Sequence, residues 1–206
     1  MSSPDAATLT PHVRDKRARR RAQILHAALE AVREKGYHAT TLEDIAERLG
    51  IRKTALYHYF PDKDSILFAC HQESLAELDR LIRESLACCQ GPAERLAYLI
   101  REHVRVMTDT LEGSPLAFEV PALSPELREE IIAGRDRYEH VLRELVTEGI
   151  ERGEFREVDP KIAVFGILGA INWIARWYRP EGEFHAAELG EQFSDYLLHG
   201  LTSGSA

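Results

Sequence analysis

Thr41-Leu42-Glu43-Asp44-Ile45-Ala46-Glu47-Arg48-Leu49-Gly50-Ile51-Arg52-Lys53-Thr54-Ala55-Leu56-Tyr57-His58-Tyr59-Phe60 is the stretch from which the fold can be read. Thr41 and Asp44 have the spacing of a capping box, with Asp in place of the usual Glu or Gln. Leu42, Ile45, Ala46 and Leu49 then recur at the helical period. Gly50 ends this helix after two turns, and a second one, about Arg52–Tyr59, follows at once and is stopped by Pro61. A small residue, Ala46, stands four positions before the glycine, where the two helices must cross. Ile45, Leu49, Ile51 and Leu56 supply the apolar groups that lock the pair onto a third helix. The pattern is a helix-turn-helix over about residues 42–61, a unit whose second helix lies in the DNA major groove while the first crosses the backbone.

The polar residues of the stretch agree with that reading. Arg52, Lys53 and Thr54 open the second helix, the end that approaches base edges, and Tyr57, His58 and Tyr59 follow one turn later. Ammonium, hydroxyl and imidazole groups are common phosphate donors, and Thr41, at the start of the first helix, is a further candidate. Asp62 can cap the next helix, and Lys63 begins it, where backbone N–H groups and the ammonium can share one phosphate. Arg17, Arg19, Arg20 and Arg21 belong to the preceding helix, about Asp15–Lys35, and can reach a flanking groove or the backbone. Charge is distributed accordingly. The 206 residues carry −8, but residues 1–67 hold 12 Lys/Arg against 9 Asp/Glu (+3) and residues 68–206 hold 14 against 25 (−11). One basic end on an acidic body is expected where only that end meets a polyanion.

The remainder also reads as helix: Lys63 to about Cys89, Gly91-Pro92 to about Leu111, Pro125–Arg152 behind the cap Ser124, Pro160–Tyr178 behind the cap Asp159, and about His185–Leu201. Gly113–Leu123, Gly153–Val158 and Pro180–Phe184 are breaks. No segment alternates as a strand does, so the expected fold is all-α with about nine helices. Residues 1–15 are expected to be a flexible tail, 16–78 the helix-turn-helix domain, and 79–206 a second helical domain. No apolar run reaches the 18–20 residues of a membrane span, and with no signal-peptide stretch at the N-terminus the expectation is a cytoplasmic protein with no membrane partner. Cys70, Cys88 and Cys89 do not form a disulfide framework. There is no Gly-x-Ser-x-Gly elbow, no phosphate-cradling glycine loop and no His-Glu-x-x-His, so an enzyme is not expected. Cys88-Cys89 with His103 is the one conceivable metal set, and its spacing matches no structural zinc pattern.

Two blocks carry a family resemblance. Gly36-Tyr37-His38-Ala39-Thr40-Thr41-Leu42-Glu43-Asp44-Ile45-Ala46 and Leu49-Gly50-Ile51-Arg52-Lys53-Thr54-Ala55-Leu56-Tyr57-His58-Tyr59-Phe60-Pro61-Asp62-Lys63 resemble the TetR family of bacterial regulators, over about Arg17–Leu78. The resemblance implies a homodimeric transcriptional regulator, usually a repressor, that binds a palindromic double-stranded operator and is released by a small molecule. It places the family's phosphate-contacting tyrosine on Tyr57 or Tyr59 and its helix-four lysine on Lys63. Arg52-Lys53 departs from the polar-plus-basic pair of many members, which bears on the operator sequence.

In the second domain, Ile162–Ile174 is apolar almost all round, and Gly166, Gly169 and Ala170 permit close approach of another backbone. Together with Trp173 and the stripe Phe193, Tyr196, Leu197 of the last helix, they are the expected dimer interface. Trp173, Arg176, Trp177 and Arg179 combine indoles, which stack on planar rings, with guanidiniums, which bind phosphate. The stretch Gly169–Pro180, like Ala122–Arg128, resembles the TetR subgroup that senses acyl-CoA thioesters of lipid, aromatic-acid or steroid catabolism. Met107, Leu111, Phe118, Tyr138 and Phe165 are expected among the walls of an acyl pocket. His71, His103 and His140 can face that pocket too, although each also reads as an ordinary helix histidine. No cofactor is expected beyond such an effector. The alternatives are a non-CoA hydrophobic effector or a metal ion, and the same Trp173–Arg179 segment can instead pack a dimer seam.

Overall fold

The computed structural model describes residues 11–110 and 118–202. Residues 1–10 of the expected tail, Leu111 and residues 113–117 of the expected break lie outside them. Among the described residues the chain is all helical: α1 (Pro11–Lys35), α2 (Leu42–Arg48), α3 (Lys53–Leu56), α4 (Lys63–Cys88), α5 (Pro92–Arg105), α6 (Pro125–Glu151), α7 (Pro160–Trp177) and α8 (Ala186–His199). A π-helical turn (Val106–Thr110) continues α5, and a 3-10 turn (Val120–Ala122) precedes α6. The chain divides into two compact units, Met1–Cys70 and His71–Ala206, so that α4 contributes to both.

Most helix ends sit where local chemistry puts them. Ser124 Oγ accepts from Leu127 N–H, and Asp159 accepts from Lys161 and Ile162; each satisfies backbone donors that the helix itself leaves unpaired. Two ends differ from the sequence expectation. The first helix begins at Pro11 and so takes in the last five residues of the stretch expected to be tail, with proline at the position where its missing N–H costs nothing. The α3 helix ends at Leu56 rather than Tyr59, although Tyr59 and Phe60 N–H still bond to Leu56 O. Pro61 explains this: it has no N–H to continue the ladder and disfavours helical geometry at Phe60.

In the first unit Ile24, Leu25, Ala28, Leu29 and Val32 of α1 are buried together with Ile45 and Ala46 of α2, Leu56, Phe60, Ile66 and Leu67. In the second, α5 is strongly amphipathic: Leu96, Leu99, Ile100, His103 and Val104 form its buried stripe. It packs on α8 through small residues, with Gly190 against the Arg101 backbone and Ser194 Oγ donating to Ala97 O at 3.2 Å. Ile131, Tyr138, Leu142 and Val146 of α6 and Val164, Ile167, Ile171 and Ile174 of α7 complete this core.

The two buried imidazoles set a pH dependence. Burial first, and the Arg135 guanidinium second, push His71 down to about 3 and His103 down to about 4. The unfolded chain takes up these protons near pH 6.5 and the native chain does not. Stability is therefore full above that pH and is lost as pH falls from about 6.5 towards 4, by up to about 1.4 kcal/mol per pH unit for each ring. Urea denaturation midpoints measured at several pH values should show this decline, and replacing either histidine by leucine should flatten it.

Candidate nucleic-acid interface

The turn between α2 and α3 is built on Gly50, whose φ of 62° is the left-handed conformation. Ile51 N–H bonds to Ala46 O and Gly50 N–H to Glu47 O, both at 3.0 Å, which closes the α2 carbonyls in a Schellman motif. At the other end of α2 the capping box forms: Thr41 Oγ1 accepts from Asp44 N–H, and Asp44 Oδ2 accepts from Thr41 N–H at 2.8 Å. Lys35, at 2.5 Å, and the Thr41 donors hold the Asp44 carboxyl well below the usual carboxylate range. Arg48 pairs with Glu34 and Glu30 of α1. The α2 helix is thus tied to α1 at both ends.

Leu56 and Phe60 are fully buried and anchor α3 from beneath. Arg52, Thr54, Tyr57 and His58, in and on either side of α3, are exposed. This exposed surface continues onto α1. Tyr59 lines a groove of about 530 Å³ with Asp15, Lys16, Arg19, Arg20 and Gln23, and a second of about 260 Å³ with Val13, Lys16, Arg17 and His58. Arg19, Arg20, His58 and Tyr59, chosen from separate parts of the sequence, therefore meet on one basic surface. It has the composition that phosphate binding requires: guanidinium, ammonium, imidazole and phenol groups.

Four expected donors are engaged otherwise. The Thr41 hydroxyl is taken up by its cap, donating to Asp44 Oδ2 at 2.8 Å. Arg21 lies over the Phe60 ring, 4.3 Å from its centre. Lys53 pairs with Glu43 at 2.6 Å, which raises the lysine pKa and lowers that of the carboxyl. Lys63 turns inward: its Nζ donates to Tyr37 O at 2.9 Å and Thr40 O at 3.0 Å and sits 4.2 Å above the Tyr37 ring, while Tyr37 Oη donates to Asp64. Sequence reasoning missed Tyr37, whose spacing gave no sign that it would meet α4.

The residues expected to line an effector pocket fall into two groups. Met107 and Tyr138 are buried in the second unit, and His103 packs edge-on against Tyr138 with ring centres 5.3 Å apart. Phe165 instead points outward, 50% exposed and beneath Lys161, because it lies on the opposite side of α7 from Val164, Ile167 and Ile171. Trp173, Arg176, Trp177 and Arg179 are also exposed. Arg176 stacks 4.4 Å over Phe118, and Trp177 packs edge-on against Phe184. The expected interface residues are on the outside as well. Ile162 is 67% exposed, Trp173 60% and Tyr196 81%; Gly166 and Gly169 are exposed, Ala170, Phe193 and Leu197 are half-buried, and the Cβ positions of both glycines are open. His140 is at the surface beside Glu144. Among the described residues no three His, Cys, Asp or Glu side chains gather as a metal set, and no helix is long and apolar enough to cross a membrane.

Comparison with known proteins places this geometry in a family. Residues 24–70 match the family described as bacterial regulatory proteins, tetR family, and residues 89–201, more than half of the chain, match the tetracyclin repressor-like C-terminal domain. The chain belongs to the TetR family and is a DNA-binding transcriptional regulator. It is 27% identical over 182 residues to the fatty acid metabolism regulator protein of Bacillus subtilis (strain 168), covering 87% of this chain and 94% of that one. The structure of the ketosteroid transcriptional regulator KstR2 of Mycobacterium tuberculosis superposes with a TM-score of 0.82 at 27% identity, covering 89% of this chain and 95% of that one. AibR in complex with isovaleryl coenzyme A and operator DNA does so with a TM-score of 0.75 at 27% identity, covering 88% and 98%. These relatives are regulators, and none is named as an enzyme.

The inward-turned and the exposed residues should separate on substitution. Lys63→Met removes charge-assisted bonds to two carbonyls and is expected to cost about 2 kcal/mol of stability, read as a lowered melting temperature along with weakened DNA binding. Tyr57→Phe, at an exposed position, should weaken DNA binding with the melting temperature unchanged.

Proposed function

We propose that the protein is a homodimeric repressor whose grip on a palindromic operator is released by an acyl-CoA thioester. The observation that carries the DNA-binding half is the exposed set in and on either side of α3 (Arg52, Thr54, Tyr57, His58) beside the basic half of α1 around Tyr59. Lys53 takes part by exchanging Glu43 for the nucleic acid.

Ile162, Phe165, Gly166, Gly169 and Trp173 form one stripe along α7, spaced i, i+3, i+4, i+7 and i+11, and all are exposed in the single chain. An apolar stripe with open glycines is suited to a second copy of itself, and α8 adds Phe193, Tyr196 and Leu197. A dimer is also what a palindromic site needs, since its reading heads must repeat about one DNA turn apart. Trp173 belongs to this stripe. Arg176, Trp177 and Arg179, with Phe118 and Phe184 beside them, form a separate guanidinium–aromatic patch beyond it, the chemistry that holds a phosphorylated adenine nucleotide. The names of the Bacillus relative and of the AibR complex, which speak of fatty acid metabolism and of isovaleryl coenzyme A, support that class of effector. The effector weakens DNA binding by its higher affinity for a state in which the heads no longer match the operator. The helix that both units share, α4, carries the change.

Fluorescence anisotropy on the DNA upstream of the protein's own gene tests the reading. Affinity should fall about a thousandfold or more between about 50 and 200 mM salt, and an acyl-CoA should release the DNA while the matching free acid and CoA alone do not. DNA binding unmoved by a broad acyl-CoA panel defeats the effector assignment. Phe165→Glu should yield a folded monomer by sedimentation, with operator affinity collapsed; an intact dimer places the interface elsewhere.

A further inference from the structure

Three helices of the second unit carry a polar ring where their buried stripes otherwise carry apolar groups. His103 takes its place among Leu96, Leu99, Ile100 and Val104 on α5, and Tyr138 between Ile131 and Leu142 on α6. On α4, His71 is one turn before Leu75, whose side chain fills the space a Cβ would need at Gly134 of α6. The hydrogen bond from Gln72 to Glu130 joins the same two helices at this level. Arg135, one residue beyond Gly134 and one turn before Tyr138, acts on both imidazoles. His103 and Tyr138 meet edge-on across α5 and α6, with ring centres 5.3 Å apart, and Arg135 relates His71 on α4 to this pair.

Both histidines are more than nine-tenths buried, and each has a ring nitrogen, Nε2 of His71 and Nδ1 of His103, with no hydrogen-bond partner among the described residues. A buried polar atom without a partner destabilises a fold, and leucine would fill either position without that cost. A partner that arrives from outside would satisfy both atoms. The π-helical turn that begins three residues after His103 is a further departure from regular packing, of a kind frequent at functional sites.

We infer that His71 and His103 receive an uncharged oxygen, carbonyl or hydroxyl, of an otherwise apolar effector that lodges in the second unit between α4, α5 and α6. This deepens the effector reading above and rests on it. A neutral imidazole offers one N–H and one lone pair, which suits a carbonyl or a hydroxyl and cannot neutralise a carboxylate. The oxygen belongs either to the thioester itself or to a substituent on the acyl skeleton, such as a β-oxo or β-hydroxy group.

The experiment compares ligand pairs that differ by this oxygen: acyl-CoA against the S-alkyl-CoA thioether, β-oxoacyl-CoA against acyl-CoA, and, without CoA, methyl ketones and secondary alcohols against alkanes of equal length. The readouts are operator release and calorimetric binding for the wild type, His71→Leu and His103→Leu. The expected result is that both variants melt at or above the wild-type temperature and bind DNA as the wild type does. Their affinity for the oxygen-bearing member of a pair falls about tenfold, the size of one hydrogen bond, and that for the oxygen-free member is unchanged. His→Gln at the same positions should recover part of the loss. The pair that responds identifies which oxygen is held. Should a leucine variant not fold, imidazole 15N shifts of the wild type decide: they move with the oxygen-bearing ligand and not with its counterpart.

Variants that melt lower and discriminate as the wild type does make the histidines structural and overturn the inference. An equal loss for both members of every pair, or tighter binding of the free carboxylic acid than of the thioester, does the same. Binding of the ketones and alcohols but of no CoA compound refutes the CoA assignment and leaves the inference standing, whereas a wild type that binds neither class refutes both.

Discussion

A single ammonium group fixes the geometry of the DNA-reading unit. Lys63 Nζ, at the first residue of α4, binds the carbonyls of Tyr37 and Thr40 in the turn between α1 and α2. Tyr37 O also accepts from Thr40 N–H at 3.2 Å, so the ammonium adds to a bond already made within the turn. Three elements meet at this point, the end of α1, the start of α2 and the start of α4, and the bond from Tyr37 Oη to Asp64 closes the ring of contacts. Where α2 points follows from it, and where α3 points follows from α2 through the Gly50 turn. The four-carbon stem of lysine reaches across the Tyr37 ring to do this, which a shorter amide cannot.

Charge around α3 is divided between groups paired within the chain and groups left exposed. The Lys53 ammonium is held by Glu43 of the neighbouring helix, and Arg21 is laid on Phe60. Both are cations at the reading surface that the chain satisfies internally. Arg52, Thr54, Tyr57 and His58 remain exposed, and they do so because Leu56 and Phe60 hold the segment from its other side. A four-residue helix has little stability of its own, so these two buried side chains keep it formed.

Much of this was legible in the sequence because it depends on short-range signals. The Thr41–Asp44 box, the Gly50 stop and the Ser124 and Asp159 caps act within three or four residues, and they bounded α2, α6 and α7 correctly. Misplaced residues needed information from distant parts of the chain. Lys63 looks the same in a sequence whether it meets a phosphate or the carbonyls of residues 37 and 40. Phe165 has the periodicity of a pocket wall, but a residue that covers a partner and one that fills a core are equally apolar; only the packing of Val164, Ile167 and Ile171 decides which side of α7 faces in. His71 and His103 were visible as helix histidines, yet their unpartnered nitrogens emerge only once three helices close over them.

The chain contains two tryptophans, Trp173 and Trp177, and both stand on the outer surface near the C-terminal end of α7. Indole emission shifts to shorter wavelength when water is removed from the ring. The indole emission of the protein, excited selectively over that of the tyrosines, is therefore an optical probe of this one surface and is silent about the DNA-reading unit, which holds no indole. Whatever comes to lie on that end of α7 changes the colour of the unlabelled protein.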